Sequence, residues 1–262
     1  MSGILSIGAS GLRAQQMRID TIANNLANVD TVGFKESEPT VQDGLYEVVT
    51  LMAVDPEQNA IVGADFWLGQ GAEVVATPRS QRQGAFVPTD NPLDLGILGD
   101  GFFAVRMPDG STAYSRDGRF SLDGERHLVN ASGLYLVDDI IVPENAEEIE
   151  VDASGNVTAL DASTKRELQL GRVELARFSN PRGLEAVGDN LFRETVASGP
   201  AQLGQPGTGG YGQVISRALE NSNVEISQQL TRMMEAQRAY QAAAKSIKTL
   251  DDMMQLANAV PR

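Results

Sequence analysis

The sequence predicts an α+β protein, with long N- and C-terminal helices pairing as a coiled-coil inner domain and a β-rich middle domain between them. Three observations predict it. Apolar residues recur every seven positions near the N-terminus and again near the C-terminus, the spacing that keeps one stripe on one helix face. Between these ends, Gly-containing turn signals recur about every 8–12 residues, the rhythm of short strands. The 262 residues include no cysteine, so no disulfide framework or thiolate metal site competes with this reading.

In the N-terminal segment Leu5, Leu12, Ile19 and Leu26 fall seven apart, with Ile22 and Val29 beside them and Arg13, Arg18 and Asp20 on other faces. A helix over 3–28 is about 38 Å long at about 1.5 Å per residue. Thr31-Val32-Gly33 breaks the pattern, and Gly33 suits a left-handed stop. These residues make a first segment, 1–35. A connector follows over 36–70, where Leu45–Met52 reads as an extended arm or a short helix until Asp55-Pro56-Glu57 interrupts it.

The β-rich domain spans 71–212. Leu93–Leu98 and Phe102-Phe103-Ala104-Val105 are strand-like runs around Gly99-Asp100-Gly101, and Pro108-Asp109-Gly110-Ser111 is a tight turn before Thr112–Ser115. Further strands are expected near 119–122, 127–130, 134–142, 148–151, 156–160 and 168–178, divided by Asp117-Gly118, Asp123-Gly124, Ser132-Gly133 and Ser154-Gly155. Residues 199–212 read as a linker to the final segment, 213–262. There Ile226, Met233, Tyr240, Ile247 and Met254 repeat the seven-residue spacing, with Ala236, Ala243, Leu250 and Ala257 as a second seam. Alternating large and small side chains let another helix approach closely. Ser222 or Asn223 is placed to cap a helix of about 35 residues and about 53 Å.

The formal net charge is −14, which disfavours nucleic acid and anionic lipid as partners. No apolar run reaches membrane-spanning length. Met1-Ser2-Gly3-Ile4-Leu5 lacks the basic stretch of a secretory signal, so passage out of the cytoplasm is expected by a route without a cleaved signal peptide. His127 is the single histidine and has no metal-ligand spacing around it. Asp109-Gly110, Asp117-Gly118 and Asp123-Gly124 lack the ligand spacing of a calcium loop and read as turns. No phosphate-binding loop or nucleophile elbow occurs, and no carboxylate pair stands out. Glu144, Glu147, Glu148 and Glu150 read as a solvated face. Neither a cofactor nor an enzymatic activity is expected.

The segment Ala23-Asn24-Asn25-Leu26-Ala27-Asn28-Val29-Asp30-Thr31-Val32-Gly33-Phe34-Lys35 resembles the signature of the bacterial flagellar rod and hook protein family. Gly11-Leu12-Arg13-Ala14-Gln15-Gln16 before it is similar to a family pattern as well. Further blocks follow in family order: Gln83-Gly84 with Thr89–Leu95 and Gly99–Phe103, then Tyr114–Phe120, then Ser222-Asn223-Val224 with Glu235–Tyr240. Total length, and the stretch between Phe34 and Leu68-Gly69-Gln70-Gly71, resemble the distal-rod branch most. The proximal-rod branch and other tubular assembly proteins are the alternatives.

The resemblance implies terminal helices in the inner layer of a tube, the β-rich domain outside, and a homo-oligomeric helical polymer. That polymer is a hollow drive shaft in the flagellar basal body, spanning the periplasm and carrying motor torque to the hook. Implied partners are the proximal rod and hook proteins, the outer-membrane and peptidoglycan bushing rings, and the flagellar type III export apparatus. The implied subunit interface combines the seam residues Leu5, Leu12, Ile19, Leu26, Ile226, Met233, Ala236, Tyr240, Ala243, Ile247, Leu250 and Met254 with Asn24, Asn25, Asn28, Gly33 and Phe34 of the signature. The amides of the three asparagines are suited to hydrogen-bond a neighbour in a close-packed layer.

Overall fold

The computed structural model describes residues 2–55 and 60–259. They form two compact units: Met1–Leu26, Ser37–Pro78 and Ile226–Arg262 make the first, Ala27–Glu36 and Arg79–Glu225 the second.

The first unit holds helices α1 (Ser2–Ala27) and α2 (Ile226–Ala259). The 34 residues of α2 make a rod about 51 Å long. The helices run antiparallel. At one end Gly8 lies so close to α2 that a Cβ there would sit 2.7 Å from Ile247 Cγ1. At the other, Ile22 and Asn25 share a cleft with Gln229, Arg232 and Glu235. On α2 the sheltered face runs through Gln229, Met233, Ala236, Tyr240, Ala243, Ile247 and Leu250, alternating three- and four-residue steps as the heptad predicts. On α1 the stripe is displaced from Leu12, Ile19 and Leu26, which are half-buried. The buried residues are Ala14, Ile22 and Asn25. Small residues at 8 and 14 favour this face, because they let the packed elements approach where Leu would hold them apart.

The capping expectation is corrected. Helix α2 begins at Ile226, beyond reach of the residues proposed to cap it. Ser222 Oγ accepts from Val224 N at 3.3 Å, and the Asn223 side chain bonds Glu36 N and Arg82 O.

Between the helices in sequence, Tyr46–Asp55 pairs with Ala60–Gly69 as one long antiparallel hairpin, in register from Tyr46↔Gly69 to Asp55↔Ala60. Of the two readings of Leu45–Met52, the extended one holds. Thr40–Asp43 pairs with Ala72–Ala76. Ser10 of α1 ties into this sheet, its Oγ accepting from Ala72 N at 3.1 Å while donating to Ile7 O at 2.8 Å.

The second unit is built around the strand Phe102–Arg106. Thr112–Ser115 pairs along one side of it. On the other side, Leu175–Arg177 takes its first half and Tyr135–Leu136 its second. Successive side chains of a strand point to opposite faces, and here both faces are covered. Phe103 and Val105 enter one core with Leu95, Ile97, Phe120 and Leu128. Phe102 and Ala104 enter a second with Tyr114, Phe178 and Phe192. Edge-to-face ring pairs finish both cores: Phe103–Phe120 at 5.1 Å and Tyr114–Phe178 at 4.8 Å between centroids.

The linker reading of 199–212 is corrected in part. Gln202–Gly204 is a strand on Leu175–Arg177. Two more strands precede α2: Gln213–Ser216 on Leu95–Leu98, and Ala218–Glu220 on Phe86–Pro88. In all three Asp-Gly pairs the carboxylate closes the turn, accepting from Ser111 N at 2.8 Å, Arg119 N at 3.1 Å and Glu125 N at 2.9 Å, and of the three glycines Gly110 takes positive φ, at +84.

Candidate functional site

Four stretches of the second unit that are far apart in sequence meet at one buried charged junction: Gly33–Glu36, Ser80–Gly84, Ile97–Arg116 and Glu220–Asn223. Each stretch is placed by a strand or a turn. Ala218–Glu220 is held by its pairing with Phe86–Pro88. Arg116 follows the strand Thr112–Ser115 directly. Gly33, at φ +70, turns the chain so that its N–H donates to Glu220 O at 2.7 Å. No larger residue fits there, since a Cβ on Gly33 would lie 2.7 Å from both Arg116 C and Asp117 N.

Three ionised side chains occupy the centre. Lys35 and Glu220 are each 1% exposed and Arg116 is 5% exposed. Lys35 Nζ donates to Glu220 Oε1 at 2.6 Å and to Arg82 O at 2.9 Å. Glu220 Oε1 also accepts from Gly84 N at 2.9 Å, and its Oε2 faces Arg116 Nη1 at 3.4 Å. Arg116 Nη2 donates to Gly99 O at 2.9 Å, and its guanidinium carbon stands 5.1 Å from the centroid of Phe102. Two cations and one anion share this pocket. Burial pulls the Lys35 ammonium below its usual pKa, Glu220 pushes it back up, and neighbouring Arg116 lowers it again. The Arg116 guanidinium is likewise lowered, first by burial, against the pull of Glu220 and Asp100.

A second ring of contacts surrounds the charges. Glu36 N donates to Asn223 Oδ1 at 2.7 Å, and Asn223 Nδ2 donates to Arg82 O at 2.9 Å. Arg79 lies over Phe34 at 5.4 Å and over Phe192 at 5.2 Å. The charged groups here spend their bonds on backbone atoms and on one another. Such an arrangement fixes the path of the chain.

The residues expected at a subunit interface fall into several environments. Gly33 and Phe34 are buried in the second unit at the junction. Asn25 is buried in the first unit, where its amide exchanges two bonds with one residue: Nδ2 to Ser37 O at 2.8 Å, and Ser37 N to Oδ1 at 2.9 Å. Asn28 is half-buried and accepts from Thr31 Oγ1 at 3.2 Å. Asn24 and Ile226 are exposed. Leu12, Ile19, Leu26, Met233, Tyr240, Ala243, Ile247 and Leu250 are half-buried, and Ala236 is buried. The side chains of Leu5 and Met254 lie outside the described residues.

Reading the sequence by periodicity missed Lys35, Arg116 and Glu220 as a set. Lys35 stands beside Glu36, Arg116 beside Asp117 and Glu220 near Arg217, so nothing in the sequence singles the three out.

Family models match three stretches of the chain. Residues 5–35 match flagella basal body rod protein, 96–159 match the flagellar hook protein FlgE/F/G D1 domain, and 215–260 match the flagellar basal body rod FlgEFG protein C-terminal region. Lys35, Arg116 and Glu220 fall one in each stretch. The chain is 38% identical over 264 residues to flagellar basal-body rod protein FlgG of Borreliella burgdorferi, covering 100% of both. It is 36% identical over 257 residues to the FlgG of Bacillus subtilis, covering 95% of each. Flagellar hook protein FlgE of Borreliella burgdorferi is 23% identical over 430 residues, spanning 95% of this chain and 97% of that one.

Proposed function

The chain belongs to the bacterial flagellar rod and hook protein family, and on that premise we propose that it is a structural subunit of the distal rod. The observation that carries this reading is end-to-end identity with proteins named flagellar basal-body rod protein FlgG, at 36 to 38% over 95% or more of each chain. The likeness to the hook protein is weaker and is spread over a longer alignment.

In this reading subunits add head to tail through a heterologous interface, which gives an open helical filament. Helices α1 and α2 pair as the coiled-coil inner layer, and their remaining apolar surface is completed by neighbouring copies. Burying a Leu or Ile side chain contributes about 1.5–3 kcal/mol, against about 1–2 kcal/mol per residue for ordering the backbone. In a lone subunit the apolar stripes are covered only in part, so helix order is coupled to assembly. Circular dichroism of soluble monomer should show much less helix than the polymer; a fully helical monomer overturns this coupling.

The proximal rod and hook proteins flank the polymer, and the outer-membrane and peptidoglycan rings surround it. The subunit reaches the periplasm through the flagellar type III export apparatus. Electron microscopy of basal bodies from a deletion strain tests the assignment. Rods ending short of their distal portion are expected, and complete rods overturn it.

A further inference from the structure

The N-terminal stretch of the second unit docks partly on the middle of the chain, where Asn190 Nδ2 donates to Val32 O at 3.0 Å and Ser80 N to Glu36 O at 2.7 Å, and partly on the C-terminal stretch. Gly33 N reaches Glu220 O at 2.7 Å, Glu36 N reaches Asn223 Oδ1 at 2.7 Å, and Lys35 Nζ reaches Glu220 Oε1 at 2.6 Å. The two side-chain partners lie 185 and 187 residues further along the chain.

The dependence is not mutual. The C-terminal stretch has its own seat. It pairs Ala218↔Pro88 and Glu220↔Phe86, Asn221 N donates to Ala85 O at 2.8 Å, and Glu220 is held by Gly84 N and Arg116. Lys35 has no equivalent seat. Without Glu220 its ammonium would be buried against Arg116 with a single carbonyl, Arg82 O, to receive it. A buried charge stripped of its partner is strongly unfavourable.

We propose that Glu220 is a completeness latch: Ala27–Glu36 docks only after the chain has been delivered through residue 220 and that carboxylate is seated on Arg116 and Gly84. Chains are made from the N-terminus, so the N-terminal stretch waits, undocked, for the last part of the subunit to arrive. The consequence for assembly is that a partly delivered subunit does not present a fixed Ala27–Glu36 stretch. This goes beyond the rod assignment and stands or falls separately from it, because its readout is made on soluble protein.

Hydrogen exchange of the full-length chain, read by mass spectrometry, tests the latch with three variants. Glu220→Gln keeps the shape and removes the charge. Protection at residues 30–36 should fall on the order of 100-fold, the factor that about 3 kcal/mol gives at about 1.4 kcal/mol per decade. The strands Phe102–Arg106 and Leu175–Arg177 should keep wild-type protection. Combining Glu220→Gln with Lys35→Met leaves no orphaned ammonium and should restore protection at 30–36. Lys35→Met alone should leave 218–223 unchanged. Wild-type protection at 30–36 in Glu220→Gln overturns the latch, as does failure of the double variant to restore it. Protection lost across 102–106 makes Glu220 a general stability residue, and protection lost at 218–223 in Lys35→Met removes the asymmetry; either also overturns it.

Discussion

Replacing Gly33 with alanine should destabilise the second unit by about 2–6 kcal/mol, from two additive causes. The residue sits at φ +70, where a side chain costs about 1–3 kcal/mol. The added Cβ also meets backbone atoms of Arg116 and Asp117 at 2.7 Å, and overpacking costs about 1–3 kcal/mol more. Those neighbours are main chain between two packed cores, so they yield less than a side-chain tip does. A urea titration should show a lower midpoint with an unchanged slope. The two causes separate with Gly33→Asn, since asparagine tolerates the left-handed region. If only the dihedral mattered, Asn would recover stability; with the backbone contact dominant it should be as damaging as Ala. An unchanged midpoint in both variants would refute the close fit.

Arg116→Ala should be comparably severe, about 3–5 kcal/mol, the usual consequence of removing one member of a buried ionic cluster. The guanidinium joins Glu220 Oε2, Ile97 O and Gly99 O while lying over Phe102. Truncation takes the Arg116 donor from Gly99 O and leaves a hollow beside an aromatic ring. Arg116→Lys should recover less than half of the loss, because a single ammonium cannot reproduce a planar fork that spans three acceptors. Urea midpoints for both variants check this. Full rescue by lysine would mean that charge alone matters at this position.

Much of this architecture was readable from spacing. The α2 seam follows from Met233, Ala236, Tyr240, Ala243, Ile247 and Leu250, and the sheltered face runs through all of them. On α1 the pattern pointed to Leu12, Ile19 and Leu26. Small side chains carry the contact there, and hydrophobic periodicity weighs small residues lightly. The Tyr46–Asp55 strand was ambiguous because Leu45, Leu51 and Met52 favour helix while Val48, Val49 and Thr50 favour strand. Pairing with Ala60–Gly69 decided it. Gln202–Gly204 was hidden because three residues among Gly and Pro show no period at all. The charged junction was the least legible part. Its members are individually unremarkable in sequence, and only a fold that returns the chain across 185 residues makes neighbours of Lys35 and Glu220.

The hydrogen bond from Gly33 to Glu220 also ties the first segment of the second unit, Ala27–Glu36, to the end of its second segment, Arg79–Glu225, at one doorway. The second segment is a cassette whose far end is already stitched to the first. Polypeptide inserted at its surface turns, at Pro108–Ser111 for example, enlarges the cassette without moving that doorway. The second unit can thereby grow in bulk while its stitched ends keep their separation.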